Sequence, residues 1–297
     1  HEWHEWHACQ GAGRWGRIAA GGEPQPAGSG AVYFGSRTAG HGFAAGAIMP
    51  DELPNPSLVA ACEAARQALA RHDALTVLVN DPQRHTDSAA VLPAVLAGRA
   101  AHRVRVLVAA GSHRFGPDVR ADFERRLRAA AAVGQIGWHD ARSDPLAGIG
   151  PGSVWRGHRW LREPPAVLAI GSVEPHYFAG FTGAHKTCTI GCAAYANIEA
   201  NHANAMDARC CPAVLAANPV HAGIARMVAA LEADRPIHAL NLVQRGPEVL
   251  GAFFGRPLEA LAAAAKLAGK TFVRRVPAPA DAVIADVSGP LGATFYQ

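Results

Sequence analysis

The chain alternates between two hydrophobic periods. Residues 56–71 (PSLVAACEAARQALAR) set apolar side chains three and four apart, which predicts a helix. Residues 75–79 (LTVLV) are a short unbroken apolar run, which predicts a strand buried on both faces. The alternation continues. Ser88 is expected to cap a helix running to Arg99, and 104–109 (VRVLVA) reads as a strand. Residues 117–132 read as a charged amphipathic helix with Pro117 near its start. Residues 166–171 (AVLAIG) read as another buried strand. Further helices are predicted near 192–206, 219–232 and 256–268, and further strands near 237–243, 271–276 and 281–287. Strands alternating with helices define an α/β fold, a largely parallel sheet with helices on both faces.

Such sheets bind ligands outside the carboxyl ends of their strands, so the residues following each strand carry the functional information. After LTVLVN comes Asp81-Pro82-Gln83-Arg84. After VRVLVAA comes Gly111-Ser112-His113-Arg114, and after AVLAIG comes Ser172-Val173-Glu174-Pro175-His176. After DAVIADV comes Ser288-Gly289-Pro290. Four strand ends with polar or turn-forming residues can line one rim. The densest stretch, Gly171 to Asp207, holds His176, Lys186 and His202 among closely spaced glycines. Glycines let backbone N–H groups approach a ligand such as a phosphate. A lysine in such a turn suits an anion or a covalent carbonyl adduct. Histidine is the natural acid/base near neutral pH, and two facing histidines suit a racemase or epimerase. Most of the 15 histidines must be bland; His72, His102, His158, His221 and His238 are read that way.

Composition narrows the field. The 297 residues are 49% hydrophobic and 18% charged, with mean hydropathy +0.04, which excludes wholesale disorder. The net charge of +4 and pI near 8.9 permit anionic ligands, but the basic residues are scattered and suggest no nucleic-acid partner. No apolar run is long enough to span a membrane, and no secretion signal opens the chain, so a cytoplasmic location with six reduced cysteines is expected. Cys188, Cys192 and His185 are expected to pack beneath the Lys186 loop. A charge-poor, Ala-rich surface hints at a homo-oligomer. Residues 1–45 are rich in Gly, Ala and Pro and open on a HEWHEWH repeat, so this segment is expected to be poorly ordered or artefactual. The first methionine is Met49, and the chain is expected to be a fragment.

In this order the motifs resemble the lactate racemase family, whose members depend on a nickel-pincer nucleotide. The matching elements are Asp81-x-x-Arg84, AAGSHR ending in His113-Arg114, EPHYFAGFTGAHK with His176 and Lys186, Asn201-His202, and the SGPLGATFYQ tail. The steps of ten and sixteen from His176 to Lys186 to His202 are the family's own. Two elements depart from its pattern: Ala184-His185 precede Lys186 where paired glycines are usual, and Thr189-Ile190-Gly191 replaces Leu-Pro-Gly. The resemblance implies a Rossmann-like N-terminal catalytic domain over 46–268. It also implies the start of a truncated C-terminal α/β domain over 269–297. It implies a racemase or epimerase of 2-hydroxy acids, working by reversible hydride transfer. The cofactor implied is the nickel(II) complex of pyridinium-3,5-bisthiocarboxylic acid mononucleotide, supplied by cofactor-synthesis enzymes. Lys186 would hold it covalently, His202 would ligate nickel, and Tyr296 and Gln297 would line its pocket. His113 and His176 would act as alternating general bases. Arg84 would grip the substrate carboxylate, and Asp81 would orient its neighbours. Two other readings stand beside this one. One is a zinc-dependent hydrolase using His113, His176 and His202; the other is an inactive fragment or binding protein.

Overall fold

The computed structural model describes residues 31–33, 57–84, 86–163 and 166–275. Twelve strands are found in these stretches: β1 (Ala31–Tyr33), β2 (Leu75–Asn80), β3 (Val104–Ala109), β4 (Gln135–Trp138), β5 (Leu146–Ile149), β6 (Trp155–His158), β7 (Ala166–Ser172), β8 (Pro175–His176), β9 (Gly180–Phe181), β10 (Ile237–Arg245), β11 (Glu248–Gly255) and β12 (Val273–Arg275). Seven helices accompany them: α1 (Leu58–Leu69), α2 (Ser88–Val95), α3 (Pro117–Ala130), α4 (Ala184–Thr187), α5 (Tyr195–His202), α6 (Pro219–Asp234) and α7 (Pro257–Phe272).

The main sheet runs β11-β10-β7-β2-β3-β4. Every pairing in it is parallel except β10 with β11. The expected α/β architecture is therefore present, with one antiparallel edge strand added. Period two divides the sheet's side chains between two cores. Leu78, Leu107, Val167 and Ala169 face a layer containing α6 and the β5–β6 hairpin, where Trp155, Trp160 and Ile224 are buried. Val77, Val79, Val106, Val108, Leu168 and Ile170 face α1, α2 and α3. Burial on both faces is why these strands are continuous apolar runs. Helix α7 packs its Leu261, Ala264, Ala268 and Phe272 against Val173, Phe181 and Val243.

Local chemistry sets the helix starts. Pro117, Pro219 and Pro257 each sit in a first turn, where the missing N–H costs nothing. Asn218 caps α6 by accepting from His221 N at 3.1 Å. The cap of α2 is Asp87, whose carboxylate accepts from Ala90 N at 3.1 Å, and not Ser88 as expected. That helix ends at Val95, short of Arg99, and Gly98 follows at φ +77°. The helix expected over 192–206 is broken into a 3-10 turn (Ile190–Cys192), α5, and a second 3-10 turn (Ala203–Met206). Helix α7 continues to Phe272, so the strand expected from 271 begins at Val273 and pairs antiparallel with Ala31–Tyr33. The strand expected over 281–287 lies outside the described residues. Cys62, Cys188, Cys192 and Cys210 are buried free thiols, as expected. Cys211 departs from that expectation, being disulfide-bonded.

The hairpin side of the core contains a buried histidine that gives stability a pH dependence. His158 accepts from Trp160 N through Nδ1 at 3.2 Å, and its Nε2 lies 3.7 Å from Asp144. Burial pulls its pKa down to about 4 despite the opposing pull of Asp144. The unfolded chain therefore binds this proton first. Stability is fully present above about pH 6.5, and falls as pH drops from there toward the folded-state value. The loss expected from this residue is up to about 3 kcal/mol. Urea midpoints measured from neutral pH downward should fall across that window; a flat midpoint would refute the assignment.

Candidate active site

Three strand ends converge, as the sheet rule requires. Asn80 ends β2 and Asp81 and Arg84 follow it, Ala109 ends β3 and Ala110 to His113 follow it, and His176 to Phe178 come after β7. With Lys186 on α4 and His202 on α5, they line one cavity of about 370 Å³, within the usual range for small-molecule sites. All six described residues singled out from the sequence, Asp81, Arg84, His113, His176, Lys186 and His202, line that same cavity. Tyr296, Gln297 and the Ser288-Gly289-Pro290 turn lie outside the described residues. Cys188, Cys192 and His185 do not line the cavity; they are fully buried beneath the lysine loop. Burial pushes the Cys188 thiol up to about 12, which leaves it unreactive.

Close packing holds the lysine loop. Gly171 permits it: a Cβ there would lie 2.5 Å from Ala184 N and 2.7 Å from Gly183 C. Gly183 precedes α4 at φ +144°, a conformation other residues avoid. Ala184 N donates to Asn241 Oδ1 at 2.8 Å, and Thr187 Oγ1 donates to Asn80 Oδ1 at 2.7 Å. Gly111 N donates to Gly191 O at 2.9 Å, tying the β3 loop to the segment after Lys186.

The ionisable groups are arranged with clear electrostatic consequences. His113 Nδ1 lies 2.9 Å from Asp81 Oδ2, and Gln83 N donates to the other carboxylate oxygen at 2.9 Å. Burial, aided by the nearby Arg84 charge, holds the Lys186 ammonium well below the usual lysine range. A lysine so destabilised as a cation is a nucleophilic amine nearer neutral pH. Its Nζ lies 5.7 Å from the Phe178 ring. Burial, then Lys186, pulls His202 down to about 4, so its imidazole is neutral and able to donate a lone pair. His176 is depressed well below the usual value by burial, then by Lys186, Arg84, His202 and His185. Among the described residues, no three His, Cys, Asp or Glu side chains are grouped to hold a metal ion by themselves. The zinc triad considered for His113, His176 and His202 is thus not assembled, although all three border the cavity.

Sequence reasoning missed Asn80, Thr187, Asn241 and Tyr177. Asn241 had a signal: a polar residue inside the apolar run IHALNLV, fully buried, has to bond something. Tyr177, 40% exposed and stacked on His176 at 4.7 Å, had none beyond its neighbour.

A largely parallel sheet with a cavity of small-molecule size at its carboxyl edge places this chain among α/β proteins that keep their site at the strand ends. A family model described as the lactate racemase N-terminal domain matches residues 49–210, more than half of the chain. The chain belongs to that family. It is 28% identical over 240 residues to a lactate racemase of Thermoanaerobacterium thermosaccharolyticum, covering 75% of this chain and 54% of the relative. The lactate racemase apoprotein from that organism superposes with TM-score 0.58 at 21% identity, covering 74% of this chain and 59% of that structure. A protein from Thermotoga maritima superposes with TM-score 0.59 at 20% identity, covering 73% and 60%. The chain thus spans little more than half the length of the curated relative.

Proposed function

We propose that the cavity is the active site of a racemase or epimerase of 2-hydroxy acids that works with a nickel-pincer nucleotide. The observation that carries the reading is Lys186, an amine destabilised as a cation in the same cavity as Arg84 and three histidines. The donor set fits the cofactor. Lys186 suits covalent attachment through an acyl carbon, and neutral His202 suits nickel, for which imidazole is a good ligand beside soft sulfur donors. When bound, the nucleotide supplies the carbon centre that accepts and returns the substrate's α-hydride.

The chain's own residues do the rest. Arg84 takes the substrate carboxylate, where a guanidinium offers two parallel donors. Asp81 orients His113, and His113 and His176 attend the substrate's hydroxyl and carbonyl oxygen. Phe178, Ile190 and Ile198 give the cavity apolar walls that limit water. Tyr296 and Gln297 complete the pocket in this reading. The test is mass spectrometry of the Lys186 peptide, from cells co-expressing the cofactor-synthesis enzymes. The expected result is an adduct of nucleotide-plus-sulfur mass on Lys186. An unmodified lysine in folded protein would remove the covalent-cofactor reading.

A further inference from the structure

The central sheet parts at its carboxyl edge. β2 and β7 pair from Leu75–Ala166 only as far as Leu78–Ala169. Beyond that point β2 stays with β3 through Asn80–Ala109, and β7 stays with β10 through Ser172–Leu242. Two half-sheets therefore carry two walls of the cavity, with Asp81 and Arg84 after one strand and His176 after the other. A ladder that stops leaves strand amides in need of another acceptor. Val173 N donates to Leu242 O on the β10 side at 2.7 Å, so the preceding amide, Ser172 N, points toward the β2 side. The β2 ladder has ended by then, and Ser172 N donates instead to Thr86 Oγ1 at 3.2 Å. The two hydroxyl oxygens also lie 2.8 Å apart. Ser172 is 8% exposed, so water offers its amide little in exchange.

Both ends of this contact lead to the cavity. Ser172 O accepts from Thr182 Oγ1 at 2.7 Å, and Thr182 Oγ1 accepts from Glu174 N at 2.9 Å, which fixes the chain just before His176. Arg84 sits between two anchors. Its own N–H donates to Asp81 O at 3.0 Å, and two residues later comes Thr86. Thr86 itself does not line the cavity. We propose that Thr86 is a positioning residue: its hydroxyl stands in for the missing ladder bond and sets the spacing between Arg84 and the His176 loop. Its effect on substrate rests on the 2-hydroxy acid reading; the clamp between the half-sheets does not. An acid held by its carboxylate at Arg84 reaches the histidines with its hydroxyl only if that spacing is kept. Without the clamp the Arg84 loop keeps its turn at Asp81 but loses its tie to β7. The guanidinium then has to be ordered at the moment of binding.

Thr86→Val keeps the volume and removes the hydroxyl, whereas Thr86→Ser keeps the hydroxyl. Amide hydrogen exchange in the full chain, read residue by residue by NMR, tests the clamp without any activity. Valine should speed exchange at Ser172 about tenfold, the scale of one neutral hydrogen bond, with serine close to wild type and the urea midpoint unchanged. Unaltered exchange at Ser172 would overturn the proposal. So would a lower midpoint with faster exchange throughout β2 and β7, the signature of a residue that merely supports the fold. In cofactor-loaded protein, Thr86→Val should raise KM for lactate about tenfold with kcat within about threefold, because Arg84 holds the carboxylate alike in ground and transition states. Thr86→Ser should restore KM. An unchanged KM, or a fall in kcat alone, would overturn the positioning role. A loaded wild type that racemises no 2-hydroxy acid, while valine still frees the Ser172 amide, would support the clamp and count against the function reading alone.

Discussion

Lys186→Ala is expected to abolish covalent retention of the nucleotide and, with it, racemisation, while leaving the fold as stable as before or more so. The expectation comes from the sign of its electrostatics. The ammonium is held below its usual pKa by burial and by Arg84, so the folded state works against this charge. Removing the amine takes away an unfavourable desolvation and shortens a chain whose Nζ lies 5.7 Å from the Phe178 ring. Urea denaturation of wild type and variant, both without cofactor, reads the stability; intact-mass spectrometry after loading reads attachment. A midpoint lower by more than about 1 kcal/mol would mean that Lys186 supports the fold and that its burial is ordinary packing. A stability gain with loss of function is the usual signature of a group kept for chemistry.

The second large effect is expected at a residue with no side chain. Gly171→Ala would place a Cβ within 2.5 Å of Ala184 N and 2.7 Å of Gly183 C, both backbone atoms with no freedom to rotate away. Either β7 or the lysine helix must shift. The expected cost is about 1–3 kcal/mol, the scale of overpacking in a filled core, together with loss of nucleotide attachment at Lys186. Gly269→Ala is the matching control. It lies within α7 with no atom within 4 Å of an added Cβ, and should gain about 0.5–1 kcal/mol from helix propensity. If both variants were neutral, the close contact between β7 and α4 would not be what holds the lysine in place.

The central sheet was readable because its inner strands are buried on both faces, and unbroken apolar runs such as LTVLV and AVLAIG have few other uses. The edge elements escaped for the same reason. β4 (QIGW) is short and only partly buried, and β11 (EVLGAFFG) carries glycines that disguise its period. Its turn was nonetheless marked by Arg245-Gly246-Pro247, with Gly246 at φ +58°. The site was readable where chemistry demanded unusual residue types after strands, as at Asp81, His113 and His176. It was unreadable where a residue acts through a partner far along the chain. Thr187 meets Asn80, and Ala184 meets Asn241, across separations no local pattern records. The contact of His113 Nδ1 with Asp81 belongs to the same class.

The strand order has a kinetic meaning as well. Leu75 pairs with Ala166, so β2 and β7 become neighbours only after the whole intervening chain, β3 and β4 included, has been gathered into a closed loop. Closing so long a loop costs entropy before any pairing rewards it, which makes this junction a slow event in folding. Asp81 and Arg84 arrive from one side of that closure, and His176 and Lys186 from the other. During synthesis, a nascent chain that has released only its first half therefore has one wall of the cavity and nothing opposite it. Ligand capture is thereby postponed until the sheet's middle seam has zipped.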